Sequence, residues 1–271
     1  MEKKRFLEII KGKKELKNID DSTVENALKQ LNIDVSKLKE QPKHYKDELK
    51  KTRKYLREKY GLFSLPKASK RDKIISIIEY SDDIVKPCLE MLKTHLSSKE
   101  RLRHYEYIYS KIIPKNTKSI SDIACGMNPF SYILIPDYKK IRYFCYELNT
   151  SDCNIINRFF KKAEIKGVAE QIDASKMENI KKIPETDVCL LLKTLDTIEE
   201  KNKWVSEEII KNLKSKTIVI SFSTKTVSGR SMKASSRLWL EDIIKKLKLN
   251  FEIFETDNEK FYVILKNKKT I

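Results

Sequence analysis

Residues 119–129 read Ser-Ile-Ser-Asp-Ile-Ala-Cys-Gly-Met-Asn-Pro, and how this stretch folds decides the architecture of the chain. Ile120 to Ile123 form a short apolar strand. The small residues Ala124 and Cys125 carry the chain to Gly126, and Pro129 stands at a helix start, where its fixed φ and missing N–H cost least. A strand that turns through small residues into a helix leaves backbone N–H groups open at its C-terminal edge. In a parallel α/β sheet that edge is where ligands bind. Asp122, near the end of the strand, adds an acceptor beside them.

Outward from this turn, strand and helix patterns alternate. Downstream, Ile141–Leu148 precedes a helix over Ser151–Ile165, and Val168–Ile172 is a weaker strand. Val188–Leu192 precedes Ile198–Leu213, and Ile218–Phe222 precedes Ser236–Leu247. Phe251–Glu255 and Phe261–Lys266 close the chain as a hairpin around Thr256-Asp257-Asn258-Glu259. Upstream, Ser97-Ser98-Lys99-Glu100 reads as a capping box that opens a helix through Ile113. The fold class is α/β: five strand–helix units and an antiparallel hairpin.

Residues 1–93 differ in texture, being helical and strand-poor, and are expected to form a domain separate from 94–271. Leu7, Ile10 and Leu16, then Val24, Leu28 and Leu31, follow helical spacing. Tyr45, Leu49, Thr52, Leu56 and Tyr60 line one face of a further helix that Gly61 terminates. Its other faces carry Lys50, Lys51, Arg53, Lys54 and Arg57, with Lys70 and Arg71 shortly after. Residues 43–73 hold 12 basic against 4 acidic side chains, whereas 1–42 hold 10 against 8 and 74–93 hold 2 against 4. The positive charge is therefore focused on one helix and the turn after it.

The whole chain carries a formal net charge of +18 over 271 residues. Such a surplus favours a polyanionic partner, because each phosphate neutralised releases counterions. No apolar run reaches the ~18 residues that span a bilayer, and the N-terminus lacks the apolar core of a secretory signal. The five cysteines include no C-x-x-C pair and no histidine at metal-ligand spacing, so a cytoplasmic, reduced protein without a metal site is expected. P-loop, G-x-S-x-G and H-E-x-x-H patterns are absent.

Three further residues end strands on the ligand edge. Glu147, 25 residues after Asp122, stands where nucleotide-binding folds present a carboxylate to the two ribose hydroxyls, the alternative being an ordinary polar strand end. Asp173 ends the third strand, where such folds read the adenine amino group. Lys193 follows the buried run Leu190-Leu191-Leu192 and either snorkels from the strand end or touches substrate or cofactor.

The Asp122-x-Ala124-x-Gly126 pattern resembles motif I of class I S-adenosylmethionine (SAM)-dependent methyltransferases, whose Rossmann-like sheet has this strand inventory. Four segments are similar to the aminoglycoside-resistance 16S ribosomal RNA guanine-N7 methyltransferases. They are His95-Leu96-Ser97-Ser98-Lys99-Glu100-Arg101, Asp122 to Pro129, Leu191-Leu192-Lys193-Thr194-Leu195, and Ile220 to Arg230. The match spans roughly 91–271, and the basic N-terminus resembles that family's RNA-docking extension in character. The resemblance implies SAM as cofactor, with Arg101 pairing the SAM carboxylate and Asp122, Ala124, Gly126, Glu147, Asp173 and Leu192 bordering it. Lys193 would lie at the target base as the catalytic residue. Lys225 and Arg230 would meet RNA phosphate, alongside Lys50, Lys51, Arg53, Lys54, Arg57, Lys70 and Arg71. The implied partner is the 16S rRNA of the 30S subunit, approached by a monomer without membrane or metal.

Guanine N7 carries a free lone pair, so methyl transfer to it needs alignment rather than a general base. His95 is the one titrating candidate nearby, with helix-entry packing as its plainer role. The chain departs from the family pattern at Ala124 (glycine there), Ser98 (threonine), Ser223 (proline) and Asp196 (often proline). Two rivals stand beside this reading: an RNA-binding or ribosome-assembly factor on the same fold with little catalysis, and a SAM enzyme for tRNA or a small molecule.

Overall fold

The computed structural model describes residues 3–13, 16, 19, 21–37, 42–57, 70–199, 205–225 and 237–266. Its centre is a seven-stranded sheet made of β1 (Ser119–Ile123), β2 (Arg142–Glu147), β3 (Lys166–Gln171), β4 (Val188–Leu192), β5 (Thr217–Ser223), β6 (Asn250–Glu255) and β7 (Glu259–Leu265). The spatial order is β3-β2-β1-β4-β5-β7-β6. β1 to β5 run parallel, while β7 pairs antiparallel with both β5 and β6. This is the class I methyltransferase arrangement. The chain leaves β1 toward β2 and later returns to β1's other side with β4, so the strand order reverses there and opens a crevice at the C-terminal edge.

Period-two alternation splits the sheet between two cores. Ile120, Tyr143, Cys145, Leu190, Leu192 and Val219 face one layer, and Ile123, Cys189, Leu191, Ile218 and Ile220 face the other. β4, Val-Cys-Leu-Leu-Leu, is buried at every position, as a strand covered on both faces must be. The first layer contains α4 (Arg71–Tyr80), α5 (Val85–Leu92), α6 (Leu96–Arg101), α7 (Tyr105–Ile112) and α8 (Thr150–Lys162). The second contains α9 (Met177–Ile180), α10 (Leu195–Glu199), α11 (Val205–Asn212) and α12 (Leu238–Lys246). The helix expected at Pro129 is a 3-10 segment over Asn128–Leu134. Of the single helix expected over Ile198–Leu213, the described residues form the end of α10 and α11, and 200–204 lie outside the described residues.

The N-terminal helices α1 (Lys3–Lys11), α2 (Asp21–Gln30) and α3 (Pro42–Leu56) enclose a core of their own, with Phe6, Ile10, Leu16, Val24, Leu28, Leu49 and Leu56 inside. Ile75, Ile78, Cys88, Met91 and Leu92 belong instead to the sheet's first core. The boundary expected after residue 93 therefore falls earlier, between α3 and α4. α4 and α5 look like a continuation of the helical half in sequence, but their apolar faces are buried on the sheet layer.

The capping box is also corrected. His95, in extended conformation, precedes α6, and no side chain caps that helix. Ser97 and Ser98 lie buried inside it, and a turn separates it from α7. Glu100 reaches Lys193 Nζ at 2.5 Å rather than folding back on its own backbone, because an ammonium is the stronger partner for a carboxylate.

Candidate functional site

The crest after β1 is a tight double left-handed turn. Ala124 and Gly126 take φ of +54° and +52°, a region that glycine enters freely and alanine at a cost of roughly 1–2 kcal/mol. Gly126 is fixed by a second constraint. A Cβ built there would lie 2.8 Å from Nε2 of His95, so the imidazole packs directly on the glycine. Ala124, by contrast, is exposed on the crest, and its methyl group is tolerated.

Glu147 leans back over this crest from the end of β2. Its Oε2 accepts the Gly126 N–H at 2.8 Å and its Oε1 accepts the Leu148 N–H at 2.7 Å. Burial and the nearby Asp152 charge push its carboxyl above the usual range, opposed by backbone N–H groups of Gly126, Leu148 and Asn149. Asp122 lies just beneath. Its Oδ2 accepts both Asn128 Nδ2 at 2.8 Å and the Tyr132 hydroxyl at 2.7 Å. Burial raises its carboxyl to about 6 against those two hydrogen bonds and the pull of Arg101.

Across the crevice, four charges are compensated within one buried cluster. Arg101 Nε and Nη2 grip Glu259 at 2.7–3.1 Å, with side chains 3% and 0% exposed. Lys193, itself at φ +57°, lies 3.5 Å from Glu259 and 2.5 Å from Glu100. Ser221 also donates to Glu259. Burial would raise the Glu259 carboxyl, but Arg101 and Lys193 outweigh it and hold the group low. His95, half-buried with its ring against Gly126, is pushed well below the ordinary histidine range by burial and by the charges of Arg71, Arg101 and Lys193. It is a neutral packing residue.

Sequence reasoning missed Glu259, which it assigned to the hairpin turn. Glu259 in fact opens β7 in register with Ser223. The available signal was the apolar run following it, since a carboxylate entering a central strand needs a cation. Tyr132, Asn128 and Glu100 were also missed. They supply hydrogen bonds to residues that were found.

The other expected residues divide. Asp122, Ala124, Gly126, Glu147, Leu192 and Lys193 meet at the C-terminal edge around β1, β2 and β4. Asp173 lies two residues beyond β3, its Oδ1 bonded to the N–H and hydroxyl of Ser175. Arg101 reaches the same region, yet its bidentate edge is turned to Glu259. Lys50, Lys51 and Lys54 are exposed on α3, Arg57 is half-buried after it, Lys70 is exposed before α4, and Lys225 is half-buried after β5. Arg230 and Gly61 lie outside the described residues.

Two expected RNA contacts are corrected. Arg71 turns inward, 6% exposed, holding both oxygens of Asp152 at 2.8 and 2.9 Å and Thr94 Oγ1 at 2.9 Å. Arg53 donates to the carbonyls of Ile9 and Ile10 at the end of α1, where a cation meets the negative end of the helix dipole. Both guanidiniums serve the fold. Among the departures from the family pattern, Asp196 has a role: it pairs with Arg237 at 2.8 Å and secures the start of α12.

A family model described as "Ribosomal RNA methyltransferase (FmrO)" matches residues 36–247. The chain belongs to this family. Relatives of this ribosomal RNA methyltransferase include a 16S rRNA (guanine(1405)-N(7))-methyltransferase of Micromonospora rosea, 27% identical over 81% of this chain and 83% of its own length. The enzyme of the same description from Micromonospora echinospora is 29% identical over the same shares. Among solved structures, the 16S rRNA methyltransferase RmtF in complex with S-adenosyl-L-homocysteine superposes with a TM-score of 0.74 at 19% identity, covering 98% of this chain and all of that one. The 16S rRNA methylase RmtB does so at 0.69 and 20%, covering 98% and 99%. These likenesses establish the shared fold.

Proposed function

We propose that this chain transfers a methyl group from SAM to N7 of a guanine in 16S rRNA of the 30S subunit. The single observation that carries the reading is Glu147 seated on the Gly126 N–H at the strand-order reversal. That places a carboxylate and an open turn where a nucleoside is held. Membership of the rRNA methyltransferase family and the activities of the named relatives support the substrate.

The residues present fit the cofactor. Glu147 has two carboxylate oxygens to exchange from backbone N–H groups to ribose hydroxyls. Asp173 keeps Oδ2 for an exocyclic amine, and Leu192 closes the apolar wall beside β4. Asp122, below the crest, and Arg101 would face the amino-acid end. When bound, SAM supplies a sulfonium-activated methyl group. The chain's own contribution is orientation, since the N7 lone pair is available without proton removal. His95, neutral and packed on Gly126, is positioned as scaffold and not as a base. Lys193, held by Glu100 and Glu259, keeps its ammonium at the crevice edge where the target base would enter.

Exposed lysines of α3 supply the RNA-docking charge, with Lys225 and Arg230 as further phosphate contacts. The enzyme would act in the cytoplasm as a monomer, and its product would confer aminoglycoside resistance. Labelled SAM and purified 30S subunits test the assignment: label should enter 16S rRNA at one guanine N7. Wild-type protein that leaves 16S rRNA unlabelled, or labels another atom, would sink it.

A further inference from the structure

At the opposite end of the sheet from the cofactor crevice, a groove of about 1680 Å³ runs beneath the N-terminal ends of β1 to β4. Lys115 and Lys118 enter it from the segment before β1, Arg142 from the first position of β2, and Lys166 from the first position of β3. All four are exposed, and among the described residues none has an ion-pair partner. The acids along the groove are Glu106, Asp137 and Glu185, and Asp137 is engaged by Lys140 at 3.0 Å.

Arg142 and Lys166 pair in register on adjacent parallel strands. Their Cα atoms are thus about 4.8 Å apart and their side chains leave the same face of the sheet. Like charges placed directly opposite destabilise a sheet pair. An anion seated between them would relieve that repulsion. Two residues further along, the half-buried Phe144 and the 37%-exposed Val168 pair in the same way and extend the face with apolar surface. Unpaired cations beside an aromatic ring are suited to a phosphodiester chain whose bases or sugars rest on the ring.

We propose that this groove binds the phosphate backbone of RNA at a second contact, separate from the basic helix α3. The inference rests on the reading that the chain acts on rRNA, and it extends the RNA footprint to the N-terminal edge of the sheet.

The test is the double variant Arg142→Glu with Lys166→Glu, compared with Lys181→Glu with Lys182→Glu, which makes the same change in net charge on exposed lysines elsewhere. Affinity for 16S rRNA within 30S subunits should fall by about tenfold for the groove variant beyond any loss in the control. The slope of log K against log salt should shrink by about 1.4 to 1.8, the value for two phosphate contacts. SAM affinity by calorimetry should match wild type, which shows that the fold is intact. Equal RNA affinities for groove and control variants would overturn the proposal, as would a groove variant that loses binding to an acidic polypeptide while retaining RNA. Methyl transfer by the wild-type protein reports separately on the parent reading, so the two can fail independently.

Discussion

Arg101 and Glu259, 158 residues apart, form a bidentate ion pair that is almost wholly enclosed, with Lys193 3.5 Å from the same carboxylate. One buried carboxylate thus fixes both the guanidinium at the end of α6 and the ammonium at the end of β4. Removing it strips the buried Arg101 of its ion-pair partner and leaves Lys193 with Glu100 alone.

Glu259→Gln should therefore destabilise the protein by about 3–5 kcal/mol at neutral pH, the usual cost of breaking a buried pair from one side. The folded-state shift of Glu259 is downward from 4.5. A depressed carboxyl contributes stability above its unfolded value and loses it as pH falls. The gap between wild type and variant should be full at pH 7 and close below about 4.5, as urea unfolding at several pH values would show. A gap independent of pH would mean that shape, not charge, holds the cluster.

Asp122 should behave in the opposite sense. Its carboxyl is raised from 3.8 to about 6, so its ionised form costs about 3 kcal/mol at pH 7, and that cost disappears as pH falls through 6 toward 3.8. Both donors reach the same oxygen, so asparagine can keep them. Asp122→Asn should raise the melting temperature at pH 7.5, have little effect near pH 4, and weaken SAM binding. An unchanged or lower melting temperature at pH 7.5 would contradict this account.

The two crest residues provide a matched comparison. Gly126→Ala forces a Cβ into the His95 ring at a left-handed φ and should cost about 2–4 kcal/mol, in the range of overpacking plus backbone strain. Ala124→Gly relieves the same φ on an exposed site while loosening the unfolded chain, and the two terms should nearly cancel, leaving about 0.5 kcal/mol or less. Chemical denaturation of both variants decides it: similar losses would show that the imidazole contact is unimportant.

Lys50→Glu with Lys51→Glu should weaken 30S binding and reduce its salt dependence without altering the melting temperature by more than a degree or two. Arg71→Met should do the reverse. It strands the half-buried Asp152 carboxylate, costing about 2–3 kcal/mol, while the Arg71 guanidinium is turned inward and away from RNA. Loss of RNA affinity by a stably folded Arg71→Met protein would restore that arginine to the docking surface.

These outcomes show how far the sequence could be read. The central strands β4 and β5 were legible because they are apolar runs bounded by polar residues, whereas the edge strand β3, Lys-Gly-Val-Ala-Glu-Gln with one buried position, has only a weak signal. Glu147 was legible as the acidic residue ending a strand at a set distance from the glycine turn. Arg71 and Arg53 were not, because a guanidinium in a basic helix has the same sequence signature whether it meets a phosphate or a buried carboxylate. Glu259 was hidden for a related reason. Its partners lie 158 and 66 positions away, and local pattern has no access to pairings at that range. The boundary after α3 was missed because amphipathic helices do not state which core receives their apolar face.

The separate core beneath α1 to α3 has an evolutionary corollary. Phe6, Leu28 and Leu56 are enclosed in a core to which no strand contributes, so substitutions on the solvent face of the cationic helix leave the packing of the sheet untouched, although Tyr55 on the same helix feels the charge of Asp173 beyond β3. If α3 is the RNA-docking helix proposed above, natural selection could alter the surface it addresses while leaving the sheet's crest unchanged, and chimaeras that exchange residues 1–57 between relatives should change targeting more than SAM affinity.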